Sequence, residues 1–426
     1  MAGSDSNKCL EAMKSEIGSM YENKVWTLTD LPNDRQAIKN KWIIKKKTDA
    51  DVKLKSVQIM LAVAAFYDYE IWQIDVKTAF LNGFLKEELY MMQQEGFVDP
   101  KNADKVCKLQ RSIYGLVQAS RSWNIRFDEM IKAFGFMQTY GEACVYKKVS
   151  GSSDLGEVAY ILGIKIYRDR SRHLISLSQS TYLDKILKKF NMDQSKKGFL
   201  QGVKLSTAQC PASTKDREKM SAIPYASAIG SIMYAMLCTR PDVNLLVSLV
   251  GRYQSNPDME HWTAVKNIPK YLKRTKDMFL LYGGDEELVV KGYVDASFDT
   301  DLDDSKSQIG YVYVLNGGAV SWCSCKQSVM VGSTCEAESY SQCVGPMTLF
   351  CDNVGAIALA KEPRFHKKTR HIKRRFDSIR ENVQDGDIDN CKVHTDLNVA
   401  DPLTKPLPRA KHDQYQNSMG VRFITM

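Results

Sequence analysis

LVVKGYVD (Leu288–Asp295), IGYVYVLNGGAV (Ile309–Val320) and WCSCKQSVMV (Trp322–Val331) are runs of β-branched and aromatic residues separated by polar or glycine-bearing segments. Such runs read as strands. Their short connections predict three consecutive antiparallel strands, with Gly317-Gly318 as a turn or bulge. After them come a short helix carrying Glu336, a strand MTLFCD, a helix VGAIALAKE, a strand CKVHT and a last helix after Val399. Three strands followed by alternating helices and strands predict an α/β domain over residues 286–426.

Four acids in this domain share one habit of placement. Asp295 closes the strand KGYVD and Asp352 closes TLFCD, while Glu336 opens the helix after the third strand and Asp401 opens the final helix. Carboxylates at strand ends and helix starts can converge on one sheet edge. They cannot all stay ionised there without counter-charge, and two Mg²⁺ ions about 4 Å apart would supply it and activate a water for phosphodiester hydrolysis. His394, seven residues before Asp401, can assist proton transfer or product release. Taken singly, such acids are turn formers and helix caps. As a set of four in this strand order, that reading is weaker.

Upstream, Tyr225–Cys238, Pro241–Tyr253 and His261–Arg274 carry helical periodicity, a small helical module whose last member Pro269 should kink. A Lys-, Ser- and Thr-rich stretch from Gln194 to Pro224 marks a loose boundary before it. Further back, Cys9–Lys24 spaces Leu10, Met13, Ile17 and Met20 as an amphipathic helix. Val25–Leu28 and Lys41–Lys47 read as strands, Val57–Tyr69 as an apolar helix before a strand-like IWQIDV, LYMMQ as a strand and Ser120–Phe134 as a helix. Ala159–Gln179 reads as a hairpin in which YILGIKIY and HLISLSQ flank RDRSR, with a helix at Thr181–Phe190 following. The expected divisions are 1–203, 204–285 and 286–426.

The 426 residues are 44% hydrophobic and 26% charged, which excludes a disordered chain and a disulfide-stapled miniature. Fifty-nine basic against 50 acidic residues leave +9, a balance that fits a nucleic-acid partner without establishing one. The 11 cysteines include no CxxC pair, so they read as reduced thiols rather than zinc or redox motifs. Cys323 and Cys325 alternate on a strand and face the same side. No signal-peptide pattern opens the chain, and the longest apolar run, Ile59–Tyr67, is about half a membrane span. A soluble intracellular protein is expected.

Several segments resemble the RNase H domain of copia-type LTR retrotransposon Pol polyproteins: GYVDASFDTD, GGAVSW, STCEAES, LFCDNVGAIALAKEP, HKKTRHI and VHTDLNVADPLTKPLP. The resemblance implies Asp295, Glu336, Asp352 and Asp401 as ligands of a two-Mg²⁺ site, Glu336 being preferred over Glu338 because it follows the STC triplet. WQIDVKTAFLNG, YMMQQEGFVDP, VCKLQRSIYGLVQASRSW and DLGEVAYILGIKI resemble the reverse transcriptase of the same family. They imply Asp75 as a metal-binding aspartate of the polymerase palm and Phe80 as the side chain that blocks a ribose 2′-hydroxyl. Tyr114, Gly115 and Gln118 would contact nucleotide and template, although Val117 and Ser120 stand where the family has Lys and Pro. IPYASAIGSIMYAMLCTRPDV and HWTAVKNIPKYLKRTKD resemble its connection region. The implied architecture is multidomain, α/β and α+β: a right-hand-like reverse transcriptase remnant, a helical connection and an RNase H-like α/β domain. Its site of action would be a cytoplasmic virus-like particle or the nucleus.

The departures from the family pattern decide the expected activity. The polymerase hairpin written YVDD should fall between VYKKVSGS and DLGEVAYILG, which here join directly at Ser153-Asp154. Asp303-Asp304, the only Asp-Asp pair, lies in a polar loop of the other domain. One carboxylate cannot hold two Mg²⁺ ions against a triphosphate and a primer hydroxyl, so the polymerase is expected to be dead. A basic fingers segment is missing at Asp51-Val52. A third gap, after Ser339, leaves about ten residues before the strand at Met347, too few for a full crossover helix. A strained or misassembled nuclease domain is the expectation.

Lys45-Lys46-Lys47 and Arg364–Arg375, seven Lys or Arg in twelve residues, read as phosphate-tracking clusters or as solvated faces. Within the second, Lys367, Lys368, Arg370 and Arg374 are the expected nucleic-acid contacts. The expected partner is an RNA–DNA hybrid or template–primer, and no membrane. The expected function is a polymerase-inactive fragment retaining Mg²⁺-dependent cleavage of RNA in hybrids. A catalytically inert nucleic-acid-binding relic and a non-functional gene-model product stand beside it.

Overall fold

The computed structural model describes residues 6–41, 54–72, 76, 78–139, 142–148, 159–200, 202–327, 347–361 and 388–424. The chain divides into two compact units, Met1–Val52 with Gln73–Gly156, and Lys53–Trp72 with Glu157–Met426.

In the first unit, α1 (Ser6–Glu22) buries Ile17 and leads through a left-handed Lys24 into β1 (Trp26–Thr29). The next helix, α2 (Leu54–Tyr67), belongs to the second unit. β2 (Phe84–Met91) and β3 (Val106–Arg111) complete an antiparallel sheet in the order β1-β3-β2. Val25, Leu81, Met91, Cys107 and Leu109 form its core. α3 (Ala119–Ala133) crosses close to Gly83, where a Cβ would stand 2.9 Å from that of Ser122. A hairpin of β4 (Met137–Thr139) and β5 (Glu142–Lys147) follows.

The second unit contains two five-stranded sheets. One begins with β6 (Tyr160–Ile161), β7 (Ile164–Asp169) and β8 (Leu174–Ser178). The expected single strand YILGIKIY is thus two strands. Leu162 and Gly163 both take positive φ, 53° and 78°, which folds Ile161 back onto Ile164 in a two-residue turn. Helices α4 (Ser180–Lys189), α5 (Thr214–Ser221), α6 (Tyr225–Thr239), α7 (Asn244–Gly251) and α8 (Met259–Arg274) come next. α6, α7 and α8 pack on one another, burying Ile229, Ile232, Val247, Val265 and Ile268. Pro241–Val243 is a separate 3-10 turn, and α8 continues through Pro269 to Arg274. β9 (Phe279–Tyr282) then pairs with β8.

The second sheet holds β10 (Lys291–Ser297), β11 (Gln308–Leu315), β12 (Gly318–Lys326), β13 (Met347–Cys351) and β14 (Ile388–Lys392), in the order β12-β11-β10-β13-β14. The three expected antiparallel strands are present, turning at Asn316-Gly317 with φ of 49° and 73°. β13 and β14 run parallel to β10, and α9 (Val354–Lys361) follows β13. The shortened crossover does not prevent this pairing: Lys291, Gly292 and Tyr293 sit opposite Thr348, Leu349 and Phe350. The connection counts from the end of β12 at Lys326, not from Glu336. The intervening stretch can span roughly 60 Å when extended, against a strand length of about 30 Å.

The last helix also differs from expectation. Asp401 opens a 3-10 turn, Asp401–Leu403, and the prolines at 406 and 408 separate it from α10 (Arg409–Ser418). β15 (Val421–Arg422) then joins β9, giving the first sheet of this unit the order β15-β9-β8-β7-β6. α2 packs against β8 and β12 and accepts a hydrogen bond from Asn316 Nδ2 at Ala62 O, 3.0 Å. No single helix among the described residues is long and apolar enough to cross a membrane. Residues 42–47 of the strand expected at Lys41–Lys47, residues 73–75 of IWQIDV, the helix carrying Glu336 and all three gap junctions lie outside the described residues.

Candidate metal centre

β10 alternates its side chains across the sheet, so Val294 enters the core and Asp295 faces the opposite side. Opposite Asp295 on β11 is Gly310. A Cβ at Gly310 would stand 2.6 Å from Leu403 Cβ and 2.9 Å from Thr404 Cγ2, so the glycine is what lets the 401–405 turn lie across the strand. Two hydroxyls and an amide secure that turn. Ser324 Oγ on β12 donates to Leu403 O, Gln308 Nε2 donates to Ser324 Oγ at 2.7 Å, and Thr404 Oγ1 donates to Asp295 Oδ2. From the other side, Asp352 follows β13 directly, and Asn353 Oδ1 caps α9 by accepting from Gly355 N at 2.9 Å.

The result is a cluster of Asp295, Asp352 and Asp401, whose carboxylate oxygens lie within 4.8 Å of one another. Asn398, fully buried, fastens two of its supports: its Nδ2 donates to Val294 O at 2.9 Å and to Asp352 Oδ1 at 3.2 Å. Lys405 Nζ stands 2.8 Å from Asp401 Oδ1 and 4.0 Å from Asp295 Oδ2. Asp401 Oδ1 is buried and meets the Lys405 ammonium as an ion pair.

Burial pushes the Asp295 carboxyl up to about 7; the charges of Asp401 and Asp352 add to this, against Lys405 and Thr404. Burial likewise raises Asp401, again with Asp352 adding and Lys405 opposing. An all-oxygen donor set of two buried carboxylates and one half-buried one suits a hard divalent cation.

The structure therefore brings together three of the four acids singled out in the sequence. Glu336 lies outside the described residues, as do Asp75, Lys367, Lys368, Arg370, Arg374 and the lysines at 45–47. His394 is exposed and turned into its own loop, with Nδ1 accepting from Asp396 N at 3.2 Å, where it caps the 3-10 turn Thr395–Leu397. In the first unit, Phe80 and Tyr114 are in ring contact, centroids 4.9 Å apart. Gly115 has a φ of 97°, and Gln118, at the start of α3, donates to Glu87 Oε2 at 3.3 Å. Asn398, Thr404 and Lys405 were not singled out in the sequence. The signal was there: Thr404 and Lys405 stand three and four residues after Asp401, the spacing that shares one face of a helical turn.

Residues 50–155 match the family model described as reverse transcriptase (RNA-dependent DNA polymerase). That stretch carries the reverse transcriptase match, and nearly the whole chain is similar to Pol polyproteins of copia-type retrotransposons. It is 35% identical to the retrovirus-related Pol polyprotein from transposon TNT 1-94 of Nicotiana tabacum, over 98% of this chain and 38% of the relative. It is 29% and 28% identical to those from transposons RE2 and RE1 of Arabidopsis thaliana, over 96% of this chain and 34% and 33% of theirs. The chain thus spans little more than a third of these relatives' length. No solved structure matches it. The similarity to the tobacco protein runs over 505 positions against a chain of 426, so at least 79 positions of it face no residue here.

Proposed function

We propose that this chain is the reverse transcriptase–RNase H portion of a copia-type Pol polyprotein, inactive as a polymerase, in which the second unit carries an RNase H-like site that cleaves RNA in RNA–DNA hybrids. The observation that carries the reading is the convergence of Asp295, Asp352 and Asp401 from β10, the end of β13 and the turn after β14. Those are the residues that the family resemblance assigns as ligands, reached here by sheet topology. These carboxylates would hold Mg²⁺, which would supply Lewis-acid chemistry for phosphodiester hydrolysis. Asp295 and Asp401 would hold the ion from buried positions; Thr404 and Asn398 orient Asp295 and Asp352, and Glu336 is assigned to the same set by resemblance. His394, seven residues before Asp401 in the chain, is assigned to proton transfer or product release by resemblance alone; its ring caps its own loop at Asp396 N.

Polymerase inactivity rests on the missing YVDD segment and is consistent with the 79 or more positions that the tobacco relative has beyond this chain. That shortfall also favours a second reading, a hybrid-binding relic without turnover.

The deciding experiment incubates the purified chain with a labelled RNA–DNA hybrid and Mg²⁺, beside Asp352→Asn. Cleavage by the chain and none by the variant is expected. Salt-dependent binding without cleavage, while a reference RNase H works in the parallel tube, selects the relic. Primer extension with all four dNTPs should yield no product; extension would overturn the polymerase assignment.

A further inference from the structure

Residues 193–199 lie along the last turns of α8 and gather cations there. Gly198 N donates to Lys270 O at 3.1 Å, and a Cβ on Gly198 would stand 2.9 Å from that of Lys270, so a side chain there would push the two apart. Lys273 Nζ ties the segment down through Asp193 O and Ser195 O, and Arg274 Nε donates to Gly198 O at 3.2 Å. Phe199, which is exposed, thereby meets two guanidinium groups. Arg274 lies 4.3 Å from its ring centroid, and Arg409, the first residue of α10, lies 3.9 Å from it.

Lys196, Lys197, Lys270, Lys273, Arg274 and Arg409 place six cations here against two acids, Asp193 and Asp413. Asp413 stands 3.8 Å from Arg274 and 3.6 Å from Arg409, beyond hydrogen-bond reach. Lys196, Lys197 and Lys270 make no ion pair among the described residues. Helix stability accounts for part of this set only. Lys273 and Arg274 sit in the last turn of α8, where the macrodipole favours cations. Arg409 opens α10, where the dipole opposes a cation and the first turn holds no acid. A guanidinium over an aromatic ring keeps its in-plane donors for phosphate oxygens. The face also adjoins the metal centre. α10 packs on the Asp401–Leu403 turn, and a Cβ on Gly202, three residues after Phe199, would stand 2.9 Å from Pro406 Cβ.

We propose that this face grips the phosphate backbone of the RNA–DNA hybrid beside the cleaved stretch. Arg274 and Arg409 bind phosphate, Lys196, Lys197 and Lys270 add charge, and no base is read. The inference rests on the hybrid as substrate and adds where it is held.

The test measures binding of a labelled RNA–DNA hybrid to the full chain by fluorescence anisotropy over a range of KCl, with EDTA present so that no hydrolysis intervenes. Arg409→Gln combined with Lys270→Gln should weaken binding about tenfold at low salt and reduce the slope of log K against log salt by about two units. Arg409→Lys, which keeps the charge, should keep the slope. Lys219→Gln removes a charge from α5, outside this face, and should change neither quantity. Circular dichroism checks that each variant folds; if the double variant does not, Arg409→Gln alone should lose about one unit of slope. Wild-type slope and affinity in the Arg409 and Lys270 variants would overturn the face and leave the nuclease reading, which the cleavage assay tests separately. An equal effect per charge from Lys219→Gln would reduce the result to net charge and overturn the face as well. No binding of the hybrid by the wild-type chain at the lowest salt would overturn both.

Discussion

In the metal-free chain, burial lifts the Asp295 carboxyl from 3.8 to about 7. A carboxyl raised in this way keeps in the folded state a proton that the unfolded chain has released. Its contribution to stability is therefore complete below about pH 4 and is lost as pH rises through 7. With a chelator present, the unfolding free energy from urea titrations should fall between pH 4 and pH 7, by at most about 4 kcal/mol for this group. Asp295→Asn should flatten that slope; an unchanged slope in the variant would place the titration elsewhere. The identity of the three acids was legible in the sequence because strand and helix ends are where carboxylates gather. The lysine among them was not, since a Lys in TKPLP has the look of a solvated loop residue until the turn is seen lying across β11.

At the scale of elements, the site depends on how closely the 401–405 turn approaches β11. Gly310→Ala puts a Cβ 2.6 Å from Leu403 Cβ and 2.9 Å from Thr404 Cγ2, both on the turn. Overpacking of this kind costs about 1–3 kcal/mol. The turn carries both Asp401 and Lys405, so Mn²⁺ affinity should fall by about tenfold or more while the sheet stays folded. A thermal melt and a Mn²⁺ titration of the same sample check the two parts separately. Elements with strong periodicity were readable in the chain: α1, α3, α6 and the three strands β10–β12 all lie within a few residues of expectation. YILGIKIY was misread because alternation looks the same on both sides of a two-residue turn, and a positive φ at Leu162 has no signature in composition. The Asp401 turn was misread because helix starts and 3-10 turns share the same Asp-Pro opening.

At the scale of the second unit, one buried ion pair ties the helices to the C-terminal segment. Arg240 and Asp242, both almost fully buried, meet at 2.7 Å, and Asp242 also accepts from Tyr271 on α8 and from Gln416 on α10. Arg240 donates in turn to Thr275 Oγ1 at 2.7 Å. Asp242→Leu leaves a buried guanidinium without its carboxylate and should lower unfolding free energy by about 3–5 kcal/mol. Chemical denaturation of the variant beside wild type measures it. The same unit builds one sheet from strands at 160–178, 279–282 and 421–422. Pairings between such distant stretches close large loops, and each closure must be made before its contacts repay it. During synthesis, β9 is therefore exposed along one edge until β15 arrives, an open template for another chain. Slow refolding and a yield that falls with protein concentration are the kinetic signature of that wait.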